Sequence, residues 1–268
     1  MTAIEVEPGV SIHVQDLGSG RPVVLVAGFG LNADAWQGQV YPLTQAGYRV
    51  VALDVRGTGR SSKPLEGYGM PRLGADILAV LDALDLRDVT LVGWSFGAQM
   101  ALNVAATAPQ RLAQVVFVGS NAVRASRSDA FPFGGDADDL AVRLVRAERT
   151  RRIETRRRTI ASAFGKEPDP DVVSWLLHLQ MLMPSWAAIS CYDTYLKTDQ
   201  IASLTALTMP VLQIMGRHDP VSPIEGAAWL QERLPDGRLA ELDCGHYPML
   251  ELPAEFDATL VAFLAEHR

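Results

Sequence analysis

The stretch Gly93-Trp94-Ser95-Phe96-Gly97 stands between an apolar run, "VTLV", and an Ala-rich run, "AQMALNVAA". That is the setting of a nucleophile elbow, a sharp strand-to-helix turn that exposes a serine hydroxyl at a helix N-terminus. A serine at its ordinary pKa is a poor nucleophile; it needs a general base, and the base needs an acid to orient it. Two later segments supply these types: "GRHDPVSP" holds Asp219 and "LDCGHYPMLELP" holds His246, each following a strand-like run. Taken singly they have plainer readings, as a turn, a turn aspartate and a satisfied core histidine. Taken together, Ser95, Asp219 and His246 spell acyl transfer through a covalent serine intermediate.

Such chemistry also needs donors for the developing oxyanion. The elbow itself supplies the backbone N–H of Phe96. The loop "AGFG" supplies that of Phe29, with Gly28 and Gly30 permitting close backbone approach. Other candidates are weaker. His218 adjoins Asp219, His13 falls on an early strand, His178 on an apolar helical piece and His267 at the terminus. Asp193 and Asp199 lie in a helical region away from strand ends, and Asp54 is read with Arg56 as organising the loop "LDVRGTGRSS". Cys244, two residues before His246, reads as a small apolar filler.

The elements that would position these residues follow from periodicity. "SIHVQDLG", "VVLVA" (23–27), "YRVVALD", "VTLVGW", "QVVFVG" and "PVLQIMG" are short β-branched runs, and a last strand is expected before "LDCGH". Helices are expected over 73–84 and 96–107, the latter stopped before Pro109, and "VSPIE" offers Ser222 as N-cap with Glu225 completing a capping box. Alternating β and α segments imply an α/β fold, a mostly parallel central sheet flanked by helices. From about 123 to 204 the strand signal disappears. The expected layout is a core over 1–122 and 205–268, with a helical cap over 123–204 inserted between strands.

The chain has 268 residues, 48% of them hydrophobic, with a formal net charge of -7. That balance argues against general nucleic-acid binding. The N-terminal "MTAIEVEPGV" lacks the features of a signal peptide, and no run approaches the about 18 apolar residues of a spanning helix, so a cytoplasmic location is expected. The two cysteines, Cys191 and Cys244, are expected to be reduced. With no P-loop, dinucleotide fingerprint or metal motif, no cofactor and no metal are expected.

One feature opposes the acidic balance. "VRLVRAERTRRIETRRR" (142–158) holds eight arginines and two glutamates. Read as a single helix it mixes arginines with Val142, Val145 and Ile153 on one face. Broken near Thr150 it gives Arg143, Arg146 and Arg149 as an i, i+3 stripe, and Arg152 with Arg156 as neighbours on a second helix. The plain reading is a solvated face; the functional one is a surface that steers an acidic partner or anionic substrate.

With these residues placed, the chain resembles the α/β-hydrolase family over nearly its whole length. "AGFGLNADAW", "GWSFGA" and "GRHDPVSP" are similar to segments of its pimeloyl-acyl-carrier-protein methyl ester esterases. The resemblance implies Ser95 as nucleophile, His246 as base, Asp219 as its orienter, Phe29 and Phe96 as oxyanion donors, and the cap arginines as a dock for an acyl carrier protein. Ala27 stands where the family usually has histidine. A small-molecule ester is the expected substrate, with Gly28, Trp94, Met181 and Trp186 lining its site and Met183 beside them. A lactonase, a carbon–carbon bond hydrolase or a general esterase would use the same three residues, and a non-catalytic binding protein could share the fold.

Overall fold

The computed structural model describes residues 2–266. Two strands, β1 (Thr2–Glu7) and β2 (Val10–Gly18), open the chain as an antiparallel pair. Then β3 (Arg21–Val26), α1 (Gln37–Gln45), β4 (Tyr48–Asp54), α2 (Met70–Ala83), β5 (Val89–Trp94), α3 (Phe96–Thr107) and β6 (Leu112–Val118) follow one another. Three helices, α4 (Ala137–Ser162), α5 (Pro170–Met181) and α6 (Ser185–Lys197), separate β6 from β7 (Val211–Gly216). α7 (Ile224–Gln231), β8 (Gly237–Leu242), α8 (Pro248–Glu251) and α9 (Pro253–Ala265) complete the order.

The strands form one sheet in the order β1-β2-β4-β3-β5-β6-β7-β8. From β4 to β8 every neighbour is parallel, and β2 alone runs against the rest, antiparallel to both β1 and β4. Parallel strands covered on both faces read as unbroken apolar runs, and β5 and β7 are buried at every position. Alternation then divides the side chains between two layers: Val24 and Val26 of β3 pack with Leu73, Ile77 and Leu102 of α2 and α3, whereas Val23 and Leu25 pack with Leu43 of α1 and Leu260 of α9. The chain reverses its direction of travel across the sheet at β3, which lies between β4 and β5. At that point the carboxyl ends of the strands open a crevice.

β4, β5 and α3 fall where periodicity places them. α3 stops at Thr107 because Ala108 precedes Pro109 and takes an extended φ of -142°. α2 starts three residues before Leu73, since Pro71 is at home in a first turn. β1 was not among the expected strands. The Ser222 cap is corrected: α7 begins at Ile224 after Pro223 without a side-chain cap, and the Ser222 hydroxyl donates to Gly119 O at 2.9 Å. Among the described residues no single helix is long and apolar enough to cross a membrane.

Candidate active site

Ser95 follows the last residue of β5 and precedes the first of α3. It takes φ 54° and ψ -117°, a strained conformation for a residue with a Cβ. The flanking glycines serve a different purpose, close approach: a Cβ on Gly93 would overlap the Gly97 carbonyl, and one on Gly97 the Val26 carbonyl. The turn therefore presses against the end of β3 and holds the hydroxyl up at the crevice.

His246 lies in the loop after β8, with Nε2 at 3.0 Å from Ser95 Oγ. Its Nδ1–H donates to Asp219 Oδ2 at 2.8 Å, which leaves the Nε2 lone pair facing the serine. Asp219, in the loop after β7, uses its other oxygen to accept the N–H groups of Val221 (2.7 Å) and Ser222 (3.0 Å). It is thus a turn aspartate and a histidine partner at once. All three residues are buried. Trp94 lines the cavity and also supports the base: its indole N–H donates to the His246 carbonyl at 2.9 Å, and its ring is tilted against the imidazole at 5.7 Å between centroids. His246 N donates to Ala163 O at 2.8 Å.

Two N–H groups beside Ser95 are left over. Phe96 opens α3 and so has no intrahelical acceptor, and among the described residues the N–H of Phe29 has none either. Gly28 brings the Phe29 loop against the elbow: a Cβ there would lie 3.1 Å from that of Ser95. The loop is fixed from above by Gln180 of α5, which donates to the Phe29 carbonyl, and by Tyr192 of α6, stacked on the Phe29 ring at 4.3 Å. Ala27 is buried in the apolar layer.

A cavity of about 620 Å³ opens over Ser95 and His246. α4 and α6 roof it, and apolar groups dominate its wall: Leu140, Leu144, Tyr192, Tyr195, Val221 and Tyr247. Tyr195 lines the same cavity as Ser95; burial, with the Asp219 charge adding to it, holds its phenol well above the ordinary tyrosine range, so the group keeps its proton. Neither tyrosine was anticipated, although their i, i+3 spacing on α6 was a signal for a shared face. Burial pushes the Cys244 thiol up to about 12, with Glu251 and Asp219 adding to the effect, which suits a filler and not a nucleophile. No group of three His, Cys, Asp or Glu arranged for a metal occurs among the described residues.

A family profile described as "alpha/beta hydrolase fold" matches residues 21–253. The chain belongs to that family. Its relatives include the pimeloyl-[acyl-carrier protein] methyl ester esterase of Nitrosomonas europaea, 30% identical over 92% of this chain and 96% of that protein. Another is the non-heme chloroperoxidase CPO-A1 of Kitasatospora aureofaciens, 30% identical over 96% of each. Among solved structures, an esterase from Exiguobacterium antarcticum superposes with a TM-score of 0.95 at 28% identity, covering 98% of this chain and 99% of that one.

Within this alpha/beta hydrolase several expected positions are corrected. Trp186 is 47% exposed and donates to the Pro64 carbonyl, away from the cavity. Met181 packs in the core layer, and Met183 is buried beneath Gly30 without lining the cavity. Asp54 does organise its loop, accepting from Ala33 N and Arg60 N, but its cation is Arg60; Arg56 pairs with Asp76 and Glu7 instead. His13, His178 and His218 lie away from Ser95, and His267 lies outside the described residues.

The arginine-rich segment forms two helical halves of α4 that part at a non-helical Arg151 (φ -145°, ψ 40°), one residue from the break expected near Thr150. Arg143, Arg146 and Arg149 of its first half are exposed, and Arg143 stands at the cavity wall. Two arginines of the second half turn inward. Arg156, 3% exposed, grips Glu148 with Nε (3.1 Å) and Nη2 (2.8 Å) and donates to the Gln180 and Met183 carbonyls. Arg152 lies 3.1 Å from the same carboxylate and donates to the Met181 and Met183 carbonyls. These two are therefore not a docking surface; they close the turn between α5 and α6 by donating to its carbonyls at Gln180, Met181 and Met183.

Proposed function

We propose that this chain is a serine carboxylic ester hydrolase. The observation that carries the reading is the chain of contacts Ser95 Oγ, His246 Nε2, His246 Nδ1, Asp219 Oδ2, at 3.0 and 2.8 Å, opening on a largely apolar cavity. His246 takes the Ser95 proton as the oxygen attacks the ester carbonyl, and Asp219 stabilises the imidazolium. The N–H groups of Phe29 and Phe96 receive the oxyanion. Collapse releases the alcohol, protonated by His246. Water, deprotonated by the same imidazole, then frees the acid and restores Ser95.

The substrate class follows from the wall. Its apolar residues suit an acyl chain. Arg143 at the cavity and Arg146 and Arg149 beyond it suit a negative charge on the part of the substrate that stays outside, as on an ester carried by an acidic acyl carrier protein. The test compares free methyl esters, lactones and carrier-bound esters across a range of salt concentrations, with the native protein and Ser95→Ala. The reading expects hydrolysis that disappears with the hydroxyl and a salt-sensitive preference for the carrier-bound ester. Equal rates for the two proteins would overturn the enzyme assignment. Equal rates for the free and carried esters would overturn only the partner.

A further inference from the structure

His246 is carried by a loop with no regular structure, yet its ring has to stay aligned with two partners. Glu251, at the end of α8, accounts for much of that alignment. Its carboxylate accepts the N–H of Gly245 at 3.0 Å from each oxygen and the N–H of Tyr247 at 3.1 Å, the residues immediately before and after His246. The same carboxylate accepts a third N–H, that of Gly165, at 2.8 Å. Gly165 belongs to the chain leaving α4, two residues beyond the Ala163 carbonyl that accepts from His246 itself.

The two backbones are in direct contact. A Cβ on Gly165 would lie 2.6 Å from Gly245 N, and one on Gly245 would overlap Gly165 N. Phe164 stacks on Tyr247 at 4.4 Å. Only a carboxylate satisfies three converging N–H groups, because it accepts on both oxygens; an amide of the same shape would set its NH₂ against one of the donors.

We propose that Glu251 is the positioning residue of His246, fastening the loop that bears the base to the end of cap helix α4. This rests on the reading of His246 as general base. The half of α4 that ends at this clamp also carries Thr155, Arg156, Thr159 and Ser162 along the cavity. Seating that half-helix and aligning the base are therefore one event.

The test uses Glu251→Gln and Gly165→Ala in the full chain, with three readings: kcat and KM on p-nitrophenyl butyrate, the melting temperature, and the low-field NMR resonance of the His246 Nδ1–H. The proposal expects Glu251→Gln to stay folded, to lose about 10²-fold in kcat with KM within twofold, and to lose the resonance through exchange. Gly165→Ala, which wedges the clamp from the cap side, is expected to act in the same direction. In the native protein the Gly165, Gly245 and Tyr247 amides should exchange with solvent as one group, a measurement that needs no variant. A folded Glu251→Gln with native kcat and an unchanged resonance, or three amides that exchange independently, would overturn it. The resonance is read without turnover, so an absence of esterase activity in the native protein would count against the function and leave the clamp to be judged separately.

Discussion

The loops at the strand ends and the first half of α4 both carry chemistry-bearing side chains, but they commit them differently. Around Ser95 every participant is held. Asp219 is fixed by two N–H groups, His246 by Asp219, Trp94 and Ala163, and the Phe29 loop by Gln180. On α4 before the break, the guanidinium groups of Arg143, Arg146 and Arg149 have no ion pair among the described residues. Reacting atoms need alignment within fractions of an ångström, which only satisfied networks supply. Attraction of a charged partner acts over about 10 Å and tolerates mobile side chains. On the proposed function, the contrast separates the part that would perform the reaction from the part that would gather its substrate.

Four experiments probe this division, from the largest effect down. At the held end, Ser95→Ala and Asp219→Asn should each lower kcat/KM on p-nitrophenyl butyrate by about 10³- to 10⁴-fold, with circular dichroism unchanged. A loss under tenfold for either would mean that the aligned groups are not the ones reacting. Glu148→Ala probes the boundary between the regions, since it leaves the buried Arg156 and the half-buried Arg152 without their carboxylate. Urea unfolding should show a loss of about 3–5 kcal/mol.

At the exposed end, reversing Arg143, Arg146 and Arg149 to Glu should leave the melting temperature in place. It should slow turnover of a carrier-bound ester by about tenfold at low salt, and the difference should close at about 1 M salt. The smallest effect concerns the thiols. Burial pushes both Cys191 and Cys244 up to about 12, so their thiolates are scarce at any pH well below that value. Iodoacetamide at neutral pH should leave esterase activity unaltered, whereas rapid inactivation would point to Cys244 as an open and reactive neighbour of His246.

The positions read most clearly from sequence were those where a local pattern and a chemical requirement coincide. "VTLVGWSFG" carries both a buried-strand run and the close-approach glycines of a tight turn, and β5, Ser95 and α3 fall there. Asp219 and His246 could be picked out because each follows a strand, and the structure brings both to Ser95. What stayed hidden depended on direction. Arg143 and Arg156 are alike in type and in the same helix, but the irregular backbone at Arg151 and the buried Glu148 decide which faces water. Trp186 and Met181 were credited for their apolar character, and periodicity on α5 and α6 does not say which side meets the cavity. Tyr192 and Tyr195 were overlooked for the same reason. β1 escaped because "TAIEVE" is an exposed edge strand whose alternation is short.

Ser95 occupies a backbone conformation that glycine would adopt without strain. Under selection for folding alone this position would drift to glycine, and the chain would gain stability by doing so. The serine there works against the economy of the fold, and it marks in a single dihedral angle where stability and usefulness pull the sequence in opposite directions.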